Sequence, residues 1–136
     1  MTGTEIQRKT YSSGTPWETK VGYSRAIRVE NSIWVSGTTP TNKEGKVVGS
    51  NDPYNQTIQI IKNIDTALQA VGASLKDVVR TRVYVADIDS WEKVGQAHAK
   101  LFADIRPACT LVEVSRLISP EILVEIEADA ITANPI

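Results

Sequence analysis

The chain has 136 residues, 41% of them hydrophobic and 23% charged, with a formal net charge of −1. That length suits one compact domain spanning residues 1–136, and the composition gives a folded core rather than a disordered chain. With Lys and Arg scattered and the charge near zero, no basic field draws nucleic acid or an anionic membrane, and neither is expected as a partner. One cysteine excludes an intramolecular disulfide and fits a reducing cytoplasm, the expected location. One histidine and one cysteine without neighbouring ligands give no metal-site pattern, and no nucleotide- or phosphate-binding motif occurs. No metal and no cofactor are therefore expected. The N-terminal stretch MTGTEIQRKTYSSGTPW lacks the apolar segment of a signal peptide, and nowhere do the ~18 apolar residues of a membrane span occur.

RAIRV and SIWVSG, residues 25–29 and 32–37, read as two short strands. Glu30-Asn31 between them predicts a tight hairpin, with Asn31 the residue suited to positive φ. Residues 38–52, rich in turn formers, read as a loop. A helix is expected from Pro53, capped by Asn51 or Asp52, with Ile58, Ile61, Ile64, Leu68 and Val71 near one face and Gly72 as its stop. VVRTRVYVA, 78–86, alternates: Val79, Thr81, Val83 and Val85 point one way, Arg80, Arg82 and Tyr84 the other. A second helix begins near Asp89, with Glu92 completing a capping box. Val94, His98, Leu101 and Ile105 form its inner stripe, and Pro107 closes it. Two strands follow, roughly 109–115 and 122–130. In the last, Val124, Ile126, Ala128 and Ala130 share one face, and Glu125, Glu127 and Asp129 the other.

The order is ββαβαββ, with room for an extra N-terminal strand: an α+β fold, one sheet carrying two helices on one face. The other face presents Arg80, Arg82, Glu125, Glu127 and Asp129, whose opposite charges pair if the strands are neighbours. Such a face is either solvated or buried between subunits.

PACTLVEVSRL (107–117) followed by ILVEIEADAI (122–131) resembles the C-terminal signature of the Rid family, also called YjgF or endoribonuclease L-PSP. VGYSRAIRVENSIWVSGTTP (21–40) resembles its N-terminal hairpin. The resemblance implies a chorismate-mutase-like (Rid-like) fold and a homotrimer with the sheets inside and the helices outside. It also implies three clefts between subunits that take a small-molecule metabolite, an imine, enamine or keto acid. Active members hydrolyse 2-imino acids to 2-keto acids and ammonia. In them an arginine after Pro-Ala holds the substrate carboxylate, a task suited to a planar guanidinium, and a glutamate of the last strand helps to place the water.

Position by position, Pro107 and Ala108 match that pattern, as do Glu113 and Arg116 within VEVxRL. Tyr23, Ser36 and Gly37 match the hairpin, and Glu125 matches the last-strand glutamate. Cys109 stands at the arginine, Gly95 where active members often carry asparagine, and His98 where they often carry tyrosine. The resemblance thus implies ligand clefts without efficient 2-imino acid deaminase activity. The alternative is an enamine or imine deaminase, a hydrolase, whose anion anchor has moved to another residue such as Arg25.

The candidate catalytic residues are Glu125 and Cys109. The candidate ligand-binding residues are Tyr23, Arg25, Trp34, Ser36, Gly37, Cys109, Thr110 and Glu125. Cys109 is either a small, mostly buried residue filling space at a strand start or a nucleophile, which needs a neighbouring base or cation. Glu125 either joins the charged ladder or serves the cleft as a general base or polar ligand. Arg25, two residues after Tyr23, shares its strand face. Arg106, if the segment is extended, points away from Cys109. Trp34 is packing or cleft wall, and Trp17 lies in the N-terminal loop, where it could cover a cleft.

Overall fold

The computed structural model describes residues 5–136; the first four residues of the N-terminal stretch lie outside them. In chain order the elements are β1 (Arg8–Tyr11), α1 (Pro16–Val21), β2 (Ala26–Val29), β3 (Ser32–Thr38), α2 (Pro53–Ala70), β4 (Val78–Val85), α3 (Trp91–Phe102), β5 (Ala108–Glu113) and β6 (Val124–Ile131). β1 is the extra N-terminal strand. α1, at six residues, is too short for apolar periodicity to reveal, and it holds Trp17, expected in a loop.

One sheet runs β1-β2-β3-β6-β4-β5. β4 and β5 are parallel, which requires a crossover between them, and α3 supplies it. The other neighbours are antiparallel. α2 and α3 pack on each other, and one apolar cluster joins them to Ile33, Val35, Val83, Val124, Ile126 and Ala128 of the sheet.

The α2 face is rotated from the expected one. Ile60, Ile61, Ile64, Ala67 and Leu68 are buried, while Ile58 is only half-buried. Gln56 takes a buried place at the first turn, because its amide donates to the Gly49 and Glu121 carbonyls and accepts from the Leu123 N–H. Asp52 is the cap, accepting from the Asn55 N–H at 3.0 Å. In β4 a register shift between Val78 and Arg80 makes Val79 the extra residue. Val78 is therefore buried and Val79 is 44% exposed, the reverse of the side expected for Val79. In the β2–β3 hairpin the positive φ, 52°, falls on Glu30 and not Asn31. Asn31 instead donates its amide to the Thr132 carbonyl at 2.6 Å.

α3 begins at Trp91, two residues after Asp89. A 3-10 turn at Ile88–Ser90 precedes it, and the Asp87 carboxylate accepts from the Asp89 N–H, so the expected capping box is replaced by a turn. Val94, Ala97 and Phe102 are its buried residues, with His98 and Leu101 half-buried. Across the open sheet face Arg82 pairs with Asp129 at 3.2 Å, and the Tyr84 hydroxyl donates to the Glu127 carboxylate. The charge pairing expected of neighbouring strands is present.

Candidate functional site

The candidate residues fall into two groups. Tyr23 and Arg25 precede β2, Ser36 and Gly37 lie on β3, and Glu125 is near the start of β6, whose neighbour is β3. A register shift between Val35 and Thr38 places one extra β3 residue at Ser36-Gly37, a bulge that breaks the ladder where the site needs it. The freed backbone turns to Arg25, whose guanidinium donates to the Gly37 carbonyl at 2.5 Å and, more weakly, to the Ser36 carbonyl and Thr38 hydroxyl at 3.4 Å. Its other terminal nitrogen donates to the Tyr23 hydroxyl at 3.1 Å. Its Nε faces the Glu18 carboxylate at 3.7 Å. Arg25 is thus beside Tyr23 as expected, but its hydrogen-bonding directions are committed.

Glu125 lies against this group. A Cβ at position 37 would overlap its Oε2, so glycine is what lets the carboxyl approach the bulge. Burial raises the Glu125 pKa. The Arg25 charge opposes that rise and Glu127 adds to it, with a net upward shift. A carboxyl held toward its neutral form can exchange a proton near neutrality more readily than a solvated one.

Cys109 and Thr110 lie on β5, an edge strand whose only neighbour within the sheet is β4. Cys109 is level with Thr81, and Thr110 with Arg82. β4 therefore separates this pair from Glu125 within one chain. Cys109 is exposed rather than packed, contrary to the space-filling expectation. It lines a groove with His98, Phe102, Arg106 and Pro107. Arg106 was expected to point away from Cys109. Instead its backbone is left-handed, with φ 53°, because its N–H closes α3 on the Phe102 carbonyl at 2.7 Å, and the residue lines the same groove. His98 is hydrogen-bonded to Thr81 at 2.9 Å, and burial lowers its pKa, so it is neutral. Thr110 accepts from Arg80 at 3.1 Å. Trp34 lies on the open sheet face opposite Asp129 and is 47% exposed.

Glu18 was missed by sequence reasoning. Its side chain is 3% exposed and takes hydrogen bonds from the Ser13 N–H and hydroxyl and from the Thr15 hydroxyl. The signal was there in Thr15-x-x-Glu18 with Pro16 between, the pattern of a helix start. Among the described residues, no cluster of His, Cys, Asp and Glu could hold a metal ion. No helix is long and apolar enough to cross a membrane.

The model of the family Endoribonuclease L-PSP matches residues 15–132. The chain is 46% identical to a crystal structure of a YjgF/YER057c/UK114 family member from Mycobacterium tuberculosis, covering 93% of this chain and all of that one, with a TM-score of 0.85. It is 40% identical over 108 residues to a RutC family protein of Pyrococcus abyssi, covering 79% of this chain and 84% of that protein. It is 32% identical, again over 108 residues, to the 3-aminoacrylate deaminase RutC of Acinetobacter baylyi, covering 79% and 85%. An α+β fold of one mixed sheet with these helices, and a match along nearly the whole chain, define the class: the chain belongs to the endoribonuclease L-PSP family, the Rid or YjgF family.

Proposed function

We propose that this chain works as a homotrimer whose clefts, formed between subunits, bind a small carbonyl- or imine-type metabolite, and that it is a poor 2-imino acid deaminase. The observation that carries the reading is the separation of the two residue groups. Cys109 and Thr110 sit on an exposed edge strand, while Tyr23, Ser36, Gly37 and Glu125 sit around the β3 bulge, with β4 between. A second copy is what brings the edge of one chain to the bulge of another. The low activity follows from Cys109, which supplies neither a fixed positive charge nor paired donors for a carboxylate. RNA is not the ligand of this reading: the net charge of −1 provides no counter-field to phosphates, and the single histidine is half-buried against Thr81. Cytoplasmic residence belongs to the same reading, since Cys109 stays a thiol there.

The test is the rate of 2-iminopropanoate loss in a coupled dehydratase assay. Wild type should add little to spontaneous hydrolysis. Cys109→Arg should gain carboxylate binding of roughly 30- to 100-fold, the worth of a charge-assisted bidentate contact, provided its assembly matches wild type. A wild-type enzyme that is already fast would overturn the reading.

A second reading, an enamine or imine deaminase with a relocated anchor, is favoured by one observation. Arg106 lines the groove beside Cys109 with no side-chain partner among the described residues, whereas Arg25 is committed to Glu18, Tyr23 and the bulge carbonyls. The relationship to the 3-aminoacrylate deaminase of Acinetobacter baylyi supports the same chemistry. It predicts fast wild-type turnover that Arg106→Ala abolishes.

A further inference from the structure

Hydrogen-bond directions around Arg25 give the cleft a polarity that the residue types alone do not. A guanidinium donates and cannot accept. The Tyr23 oxygen must therefore accept from Arg25 at 3.1 Å, and the tyrosine's own proton is left to point elsewhere. No other partner takes that proton among the described residues. Tyr23 lines an opening with Arg8, Glu18, Thr19, Ser24 and Ser36. Ser36 is oriented in the opposite sense. Its hydroxyl donates to the Ser24 carbonyl at 2.7 Å, which leaves its lone pairs free. The wall thus offers a donor at Tyr23 and an acceptor at Ser36, while the Arg25 guanidinium is spent on the bulge carbonyls.

Arg25 is held in this task from behind. Glu18 on α1 is buried, and its carboxylate is fixed by Ser13 and Thr15 while it faces Arg25 Nε. Burial alone would raise the Glu18 pKa, but the hydrogen bonds from Ser13, Thr15 and Ser12 outweigh it and hold the group below the usual carboxylate range. The charge needed to fix the guanidinium is therefore present at neutral pH.

We propose that Glu18 is a positioning residue: through Arg25 it turns the Tyr23 hydroxyl into a donor aimed at the cleft, where it meets an uncharged carbonyl or imine group. The proposal rests on the cleft reading above and adds to it the orienting pair. Arg25 is held to this task by five partners: the Gly37 and Ser36 carbonyls, the Thr38 and Tyr23 hydroxyls, and Glu18. An imine or amide matches the pattern, since one atom accepts from Tyr23 and an N–H on the same group donates to Ser36.

The experiment uses a stable uncharged probe, pyruvamide, titrated by NMR into the full-length protein as it assembles in solution. Wild type should bind pyruvamide. Tyr23→Phe should weaken pyruvamide about tenfold, the worth of one well-oriented hydrogen bond. Glu18→Gln should lose a similar factor although Tyr23 is intact, and the double variant should lose no more than Tyr23→Phe alone. A merely structural role for Glu18 would instead add its loss to that of Tyr23→Phe. Should Glu18→Gln fail to fold, Arg25→Lys replaces it, because an ammonium keeps the charge facing Glu18 but cannot fork to both the Tyr23 hydroxyl and the bulge. Additive losses would overturn the orienting pair and leave the cleft standing. If pyruvamide does not bind wild type, the cleft reading fails and the orienting pair fails with it.

Discussion

Glu125 is the residue whose environment asks the most of it. Its folded-state pKa is raised, chiefly by burial, above its unfolded value. For such a group the stabilising contribution is complete below the unfolded pKa and is lost as pH rises through the folded one. At neutral and alkaline pH the charged carboxylate therefore costs stability. Glu125→Gln should unfold at a higher temperature than wild type at about pH 8, and the two should converge toward about pH 4. Thermal unfolding of both proteins across that range checks the sign; a variant less stable than wild type at the alkaline end would show that Glu125 is held by partners, not penalised by burial. Glu125, Tyr23, Ser36 and Gly37 were legible in the sequence because a short motif names them. Glu18 was not, because its role depends on a fold that lays Ser13 and Thr15 around one carboxylate. Arg106 was misread because an extended segment was assumed where the helix end forces a left-handed residue.

At the scale of elements, Arg28 does what no pattern of apolar residues could announce. It stands on β2, is 1% exposed, and donates to three backbone carbonyls: Glu30 in the hairpin at 2.8 Å, Val71 at the end of α2 at 2.8 Å, and Asn134 in the C-terminal segment. The positive φ at Glu30 is part of the same arrangement, since the turn presents that carbonyl to Arg28. Gly72, where α2 stops, leaves room for the guanidinium: a Cβ there would lie 2.9 Å from it. Arg28→Met keeps much of the volume but strands three carbonyls, that of Val71 in a buried place, and each unsatisfied buried group costs on the order of 1 kcal/mol or more. The variant should lose roughly 2–4 kcal/mol by urea unfolding. A loss within about 0.5 kcal/mol of zero, as at an ordinary surface site, would mean the three contacts are replaceable by water. Alternation and periodicity found every long element, yet they placed Val79 on the wrong side and Ile58, which is half-buried, too deep. A bulge and a satisfied buried glutamine both break a period that counts only apolar residues.

For the whole molecule the open sheet face and the free edge set the question. Trp34, Val112, Ile118 and Ile131 are each at least 41% exposed on one chain, and β5 pairs on one side only. Free edges and exposed apolar groups of this kind are normally covered. The proposed trimer covers them and, in the same step, brings Cys109 of one subunit to Ser36 of the next. The direct test is a cross-link. In Ser36→Cys protein the new thiol and Cys109 are the only cysteines. They are treated with a short bismaleimide at micromolar concentration and separated on a denaturing gel, with the wild-type protein as control. The predicted result is covalent dimers and trimers that appear only in the variant. Single chains that stay single after both thiols have reacted would contradict a cleft shared between subunits.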